Sequence, residues 1–133
     1  MSERIKTVVL GSEGLSAWIT RDRKFLALLR VFHEMGADLA IGVNTIVEVS
    51  HSRTNVPHLD WALSRIKVEP VTERAAKAAA ELLKEAGLHG HKYATDATVA
   101  EVALRQPGRV ALLTSDSDDM TRLCGNHVRI ISL

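Results

Sequence analysis

Cysteine and long apolar runs are the scarcest features of this 133-residue sequence. Cys124 is the single cysteine, which excludes an internal disulfide and agrees with a reducing compartment rather than a secreted, disulfide-rich domain. The first apolar run, Thr7 to Leu10, is too short for the core of a signal peptide, and no later run reaches the length of a membrane span. These absences predict a cytoplasmic protein without a membrane segment.

A strong excess of one charge is also absent. Lys and Arg number 17 and Asp and Glu number 16, so the formal net charge is +1. Apolar and charged contents are ordinary, which excludes the disordered and fibrous classes. The length suits one domain, residues 1–133, that can bury roughly two-thirds of its unfolded surface. If the acids gather at one site, the remaining surface is more basic than the total suggests and suits a polyanionic partner.

Short apolar runs alternate with helical patterns along the whole chain. The strongest helix is the Ala-rich segment that starts at Thr72 and is closed by Gly87, and Asp22 is expected to cap a helix that ends near Met35. This alternation predicts an α/β fold with a parallel sheet covered by helices on both faces. The predicted strands are 7–10, 39–43, 66–71, 110–113 and 128–131.

Two smaller expectations concern helix starts. Asn44 or Thr45 is predicted to cap the helix that carries Glu48, and Thr95 is predicted to cap a later helix. The segment 89–92 between the two long helical patterns is predicted to be a loop.

Acidic residues stand beside several of these elements. Glu48 follows the second strand, Asp96 begins a helix, and Asp116 follows the strand at 110–113, with Asp119 close behind. A carboxylate beside a buried element is costly unless a cation or donors satisfy it. In an open parallel sheet, a site forms outside the carboxyl ends of the strands. Hard oxygen ligands from several segments suit Mg²⁺ or Mn²⁺, so the pattern predicts a divalent-metal site.

Each acid also has a purely structural explanation. Glu48 completes a capping box if Thr45 is the N-cap, and the aspartates fall in first helical turns, where the helix dipole favours negative charge. Asp96, however, lies on the same helical face as Val99 and Ala103. Dipole compensation alone would place that acid in solvent.

Histidine and cysteine chemistry is less strongly indicated. His89 and His91 lack further Cys or His ligands at zinc spacing, which favours a solvated loop. Cys124 is expected to be a buried free cysteine rather than a nucleophile.

Basic residues are candidates for contact with phosphate. A solvated face is the default explanation for such residues. Two of them, Arg53 and Lys92, are predicted to bind substrate. The full set is Arg21, Arg23, Lys24, Arg53 and Lys92.

The order of these segments resembles the PIN-domain family, in particular the VapC-type toxins of bacterial toxin–antitoxin systems. The match spans nearly the whole chain and includes Ile-Val-Glu-Val at 46–49. Its most specific parts are the Asp-Ala helix start within 94–100 and the apolar strand followed by Thr-x-Asp-x-x-Asp at 114–119.

The resemblance implies a three-layer α/β/α sandwich with a central, mostly parallel sheet. It also implies an endoribonuclease that depends on Mg²⁺ or Mn²⁺ and hydrolyses RNA phosphodiester bonds. Glu48, Asp96, Asp116 and Asp119 are then the catalytic and metal-binding acids, and Thr114 is the hydroxyl residue that supports them. The implied partners are the RNA substrate, a cognate antitoxin and a second copy in a homodimer.

One position departs from the family pattern. Family members carry an aspartate directly after the first strand, where this chain has Gly11, which has no side chain to bind a cation. Ser12 is a poor ligand for a hard cation, and Glu13 is offset by two residues. We therefore expect a nuclease that Gly11 weakens or inactivates. Gly11 has two candidate origins: an inactivating substitution in an active enzyme, or natural decay.

Two other function classes compete with the nuclease. The first is a catalytically inert PIN-like module that binds RNA or a protein partner, and Gly11 motivates it. The second is a response-regulator-like domain in which an aspartate accepts a phosphoryl group. That domain requires a lysine late in the fold, and none follows Lys92.

Overall fold

The structure, a computed structural model, describes residues 4–133. Its strands are parallel, and helices fill every interval between them. Within this range no helix is long and apolar enough to cross a membrane. The elements are β1 Ile5–Leu10, α1 Ser12–Ile19, α2 Arg23–Glu34, β2 Asp38–Gly42, α3 Val43–Val49, α4 Val56–Leu63, β3 Lys67–Glu69, α5 Glu73–Ala86, α6 Gly90–Arg105, β4 Arg109–Thr114, α7 Ser117–Cys124 and β5 Arg129–Ser132.

The sheet has the strand order β3-β2-β1-β4-β5, and every pair is parallel. Each predicted strand is present, so the predicted α/β fold is confirmed. The chain order reverses between β1 and β4, where Leu10 is in register with Leu113, so the topological switch point lies at the carboxyl ends of these two strands. The order differs from the 2-1-3-4-5 order of response-regulator-like folds, which argues against that class.

Alternate residues of the central strands build two separate hydrophobic cores. Val8 and Leu10 of β1 pack with α1, α2 and α4 on one face of the sheet. Val9, which points the opposite way, packs with α6 and α7, against which α5 also lies. The result is the predicted three-layer α/β/α sandwich. Because both faces are covered, the central strands read as continuous apolar runs.

Several predicted helix ends are confirmed. The carboxylate of Asp22 accepts a hydrogen bond from the Phe25 backbone N–H at 2.9 Å and caps α2. Thr72 caps α5 through Ala75 N–H at 3.1 Å. Gly87 ends α5 with φ 67°, a left-handed conformation that glycine adopts without a Cβ penalty.

The predicted start of α3 is wrong. α3 begins directly after β2 with Gly42 as its N-cap, so neither Asn44 nor Thr45 caps it. Gly42 also lets α6 approach closely, because a Cβ there would lie 3.2 Å from a methyl carbon of Val102. Thr45 is fully buried, and its hydroxyl has no hydrogen-bond partner among the described residues, so the capping box with Glu48 does not form.

The predicted loop at 89–92 is helical instead. α6 begins at Gly90 with His89 as N-cap, and the backbone leaves helical geometry once, at Tyr93. Thr95 is therefore inside α6 and does not begin it. Packing of α5 against α6 supplies the stabilisation that the local sequence lacks.

We expect Thr72→Ala to destabilise the protein by about 1 kcal/mol, because one backbone N–H of the first turn of α5 loses its acceptor. Urea unfolding measures this change as a lower midpoint with an unchanged slope. Thr72→Ser, which keeps the hydroxyl, is the matched control and should stay close to the parent protein. Equal losses in both variants would contradict the capping role.

Candidate active site

Gly11 stands at the switch point and caps α1. Its backbone N–H donates to the Leu113 carbonyl at 3.1 Å, which joins the end of β1 to the end of β4. The backbone is extended, with φ −79° and ψ −175°, so nothing in its conformation requires glycine. An added Cβ would meet Leu113 O at 3.5 Å, an ordinary contact. An aspartate at position 11 therefore fits this backbone.

Asp116 follows β4 across the switch point from Gly11. Its backbone N–H donates to the hydroxyl of Thr114 at 2.9 Å, and Thr114 is buried. This bond anchors the turn between β4 and α7. Asp116 is the N-cap of α7, but its side chain accepts no capping hydrogen bond. The helix dipole still favours a negative charge at this position, and the exposed carboxylate, which accepts no capping hydrogen bond, is free to act in a site.

Asp96 is the acid on which the others converge. Burial in α6, followed by the charges of Asp116, Glu48 and Asp119, raises the pKa of Asp96 from 3.8 to about 6. Helical geometry resumes at Ala94, so the helix dipole favours charge on Asp96, yet burial and the three acids outweigh it. The tertiary structure therefore places Asp116, Glu48 and Asp119 near enough for their charges to act on Asp96.

Glu48 reaches this cluster from α3, which contacts both α1 and α6. It lies in the last turn of α3, where the dipole disfavours a negative charge. It is also exposed, so it contributes little to packing. Neither capping nor dipole compensation explains this carboxylate.

The remaining nearby acids separate into two groups. Asp119 is partly buried in the first turn of α7 and raises the pKa of Asp96, so both the dipole and a site role apply to it. Asp118 shares that turn but contributes nothing to the pKa of Asp96. Glu13 also makes no contribution; it lines a different cavity with Phe25 and Ser115. Glu13 therefore does not replace the missing acid at position 11.

The donor set has the chemistry of a hard divalent cation, since the four acids offer only carboxylate oxygens. The spacing between these acids is wide. Among residues 4–133, no three His, Cys, Asp or Glu side chains lie close enough to hold a metal ion as they stand. The residues fit Mg²⁺ or Mn²⁺ by donor type.

The two predicted substrate-binding cations occupy different places. Arg53 lines a cavity of about 350 Å³ that Arg21 also lines. Lys92 lies over the ring of Tyr93, with its Nζ 5.2 Å from the ring centroid. Burial raises the pKa of Cys124 to about 11, which disfavours the thiolate and confirms a buried, inert cysteine.

A buried polar network at the far ends of β3 and α6 was not anticipated. Gln106 donates to Glu69 at 2.6 Å, and Arg105 lies 3.3 Å from Glu101. Burial raises the pKa of Glu101 against the opposing charge of Arg105, whereas for Glu69 the partners Gln106, Arg105 and Lys67 outweigh burial and lower the pKa. The spacing of Glu101 and Arg105 by four residues was the available sequence signal.

The sheet order and the two helical layers make a PIN-like α/β fold. A solved structure with this fold is VapBC2 from Rickettsia felis bound to a DNA fragment from their promoter. It superposes with a TM-score of 0.72 at 18% sequence identity, covering 96% of this chain and 98% of that chain. No protein-family model and no curated protein matches the sequence.

The raised pKa of Asp96 predicts a specific pH dependence of stability. Between its ordinary pKa of 3.8 and about 6, the folded protein holds the Asp96 proton more tightly than the unfolded chain does, so this group's contribution to stability falls as pH rises through that window. Asp96→Asn removes the charge. We expect it to raise the melting temperature above pH 6 by a few degrees, on the order of 1 kcal/mol after screening by water.

The gain should be smallest near pH 4, where the aspartate is protonated in the folded protein and titrates close to its ordinary pKa in the unfolded chain. Differential scanning calorimetry of the two proteins across pH 4–8 measures it. A control variant, Asp118→Asn, removes a charge that does not act on Asp96 and should not reproduce the pH dependence. A lower melting temperature for Asp96→Asn at pH 7.5 would contradict the repulsion.

Proposed function

We propose that this chain is a VapC-like endoribonuclease of a toxin–antitoxin system, dependent on Mg²⁺ or Mn²⁺, and that Gly11 weakens or abolishes its activity. The observation that carries the proposal is the convergence of Asp116, Glu48 and Asp119 on Asp96 at the switch point of the sheet. A partly buried carboxylate whose pKa is raised by burial and by neighbouring acids destabilises the fold, which is tolerated where a cation or a substrate uses it.

A divalent cation bound by these acids would lower the pKa of a water molecule and offset the charge of an RNA phosphodiester. The chain's own residues contribute positioning. Thr114 fixes the backbone of Asp116, and α3, packed against α1 and α6, carries Glu48. Asp96 must be deprotonated to act as a ligand or base, so activity is expected to rise with pH through about 6.

The partner proposed for this chain is an antitoxin protein. The structure with the shared fold is that of VapBC2 on promoter DNA. In this chain an apolar surface is available to a partner: Trp61 is 48% exposed and stacks edge-on against the buried Trp18, and Leu26 lines the adjoining cavity. Exposed aromatic side chains beside a groove are typical of protein contacts. A single domain, a homodimer and a cytoplasmic location are part of the same proposal.

One observation favours the second candidate, an inert PIN-like module that binds RNA or protein. Gly11 leaves the switch point without a carboxylate directly after β1, although the backbone there would accept a side chain. Under this alternative, binding survives chelation of divalent metals and no cleavage occurs, whether or not an acid is placed at position 11.

We expect Gly11→Asp to increase RNA cleavage in Mn²⁺ on the order of 10-fold or more, the size of effect typical of a lost metal-site interaction. The increase should disappear with EDTA and in the double variant Gly11→Asp, Asp96→Asn. Gly11→Asn, of nearly equal volume without the charge, is the matched control. The measurement is gel analysis of structured RNAs, and absence of metal-dependent cleavage by Gly11→Asp across a varied RNA set would refute the nuclease.

The same substitution should change the response of stability to metal. Without metal, a fifth carboxylate increases repulsion and Gly11→Asp should melt below the parent protein. Mn²⁺ at about 100 times its Kd stabilises a binding protein by about 2.7 kcal/mol, so the variant should gain more than the parent chain. Thermal melts with and without Mn²⁺ measure this difference, and equal gains in the two proteins would place Gly11 outside the metal site.

A further inference from the structure

A second concave site, cationic rather than acidic, lies at the far end of α1. It encloses about 350 Å³, and its lining includes Arg21, His51, Arg53 and His58. We call these four residues the anion pocket. No Asp or Glu of residues 4–133 lines it, and within that range neither guanidinium forms an ion pair. Two unpaired arginines in a concavity attract an anionic group.

The backbone conformation of Arg21 and its contact with His58 hold its side chain in place. Its backbone has φ 60°, a left-handed conformation that is uncommon for a residue with a Cβ. Its Nη2 lies 3.5 Å from Nε2 of His58, whose Nδ1 lies 3.3 Å from the Ile19 carbonyl. Because arginine only donates and a carbonyl only accepts, the tautomer of His58 with the proton on Nδ1 satisfies both contacts. His58 therefore orients Arg21 from α4.

The loop that carries Arg53 is also ordered internally. The Arg53 backbone N–H donates to Nδ1 of His51 at 3.0 Å, which leaves Nε2 of His51 as the donor. Thr54 closes the loop: its hydroxyl accepts from the His51 N–H at 2.8 Å and donates to the Val49 carbonyl at 3.1 Å. The loop is thus pre-organised, while no hydrogen bond within residues 4–133 occupies the Arg53 side chain.

Two helices, α1 and α3, carry residues at both the anion pocket and the acidic site. α1 runs from Gly11 at the switch point to Ile19 at the pocket, and its eight residues span about 12 Å. On α3, Glu48 belongs to the acidic cluster, and the next residue, Val49, lines the pocket. The two sites are therefore neighbours along one surface.

We propose that the anion pocket binds a backbone phosphate of an RNA strand a few nucleotides away from the linkage held at the acidic site. This inference rests on the proposed function and extends it to the substrate. An acidic cluster repels RNA, so a polyanion must be held by cations elsewhere. Two guanidiniums and Nε2 of His51 supply more donors than one carboxylate accepts, whereas a phosphate, with its larger set of oxygens, matches them.

The test measures RNA binding in EDTA, where no cleavage occurs. A fluorescein-labelled single-stranded RNA is titrated with the chain, Arg21→Gln, Arg53→Gln and the double variant, and anisotropy is read at several salt concentrations. Each single variant should bind about 10-fold more weakly, as expected for a lost charged hydrogen bond. The double variant should reduce the slope of log K against log salt by about 1.4, or about 0.7 for each phosphate charge contact.

Arg74→Gln, an exposed arginine of α5 outside the pocket, is the charge-matched control and should keep the parent affinity. Arg53→Gln removes a side chain without hydrogen bonds among residues 4–133, so folding does not confound that variant. Parent-like binding by the double variant would overturn the pocket. Competition by poly-glutamate as strong as by unlabelled RNA would assign the pocket to an acidic protein segment and also overturn the proposal.

The two proposals fail separately. RNA binding in EDTA needs neither Gly11→Asp nor a metal, so lost cleavage in the position 11 experiment leaves the binding result intact. Conversely, if Gly11→Asp cleaves RNA with metal and the pocket variants bind RNA like the Arg74→Gln control, the nuclease proposal stands. The proposal that the anion pocket binds RNA then fails.

Discussion

Repulsion between carboxylates at the carboxyl edge of the sheet is the constraint on which the functional interpretation depends. Asp96 is partly buried and faces three further acids, and no ion pair within residues 4–133 includes any of the four. Such a cluster of carboxylates destabilises the fold less when it binds protons, when its members lie apart or when it binds a cation. The pKa of Asp96 is raised first by burial and then by these three acids, so the group binds a proton more readily than a free aspartate does.

The parallel sheet makes this constraint unavoidable. Because all strands run the same way, the segments after β1, β2 and β4 emerge at one edge, and the reversal of strand order opens a crevice there. Under the proposed function, a carboxylate at position 11 would add both repulsion and a metal ligand. Stability without metal and affinity for metal are therefore opposed at this position in that proposal.

Charge is segregated along the surface of a protein that is nearly neutral overall. The acids occupy the switch point, whereas Arg21 and Arg53 line a separate concavity beyond α1. A net charge of +1 conceals both features. An RNA strand needs both: cations to hold its backbone, and a site where charge can develop during phosphodiester hydrolysis.

Sequence patterns were informative where the determining interactions are local and failed where they are not. Apolar runs located every strand, because a strand covered on both faces needs no polar alternation. The start of α3 was misassigned because capping preference favours Asn44 or Thr45, but the end of β2 leads straight into the helix at Gly42 and tertiary packing buries Thr45. The start of α6 was missed because its first turn depends on packing against α5.

The sequence by itself determined the α/β class, the five strands, the four candidate acids and the absence of a carboxylate at position 11, because each follows from residue type and short-range order. Only the tertiary structure decided that Glu48 and Asp116 act on Asp96, and that Arg21 and His58, 37 residues apart, share one cavity. Those relations are made by strand order and helix packing, which join segments distant in the chain. No local pattern encodes their distances.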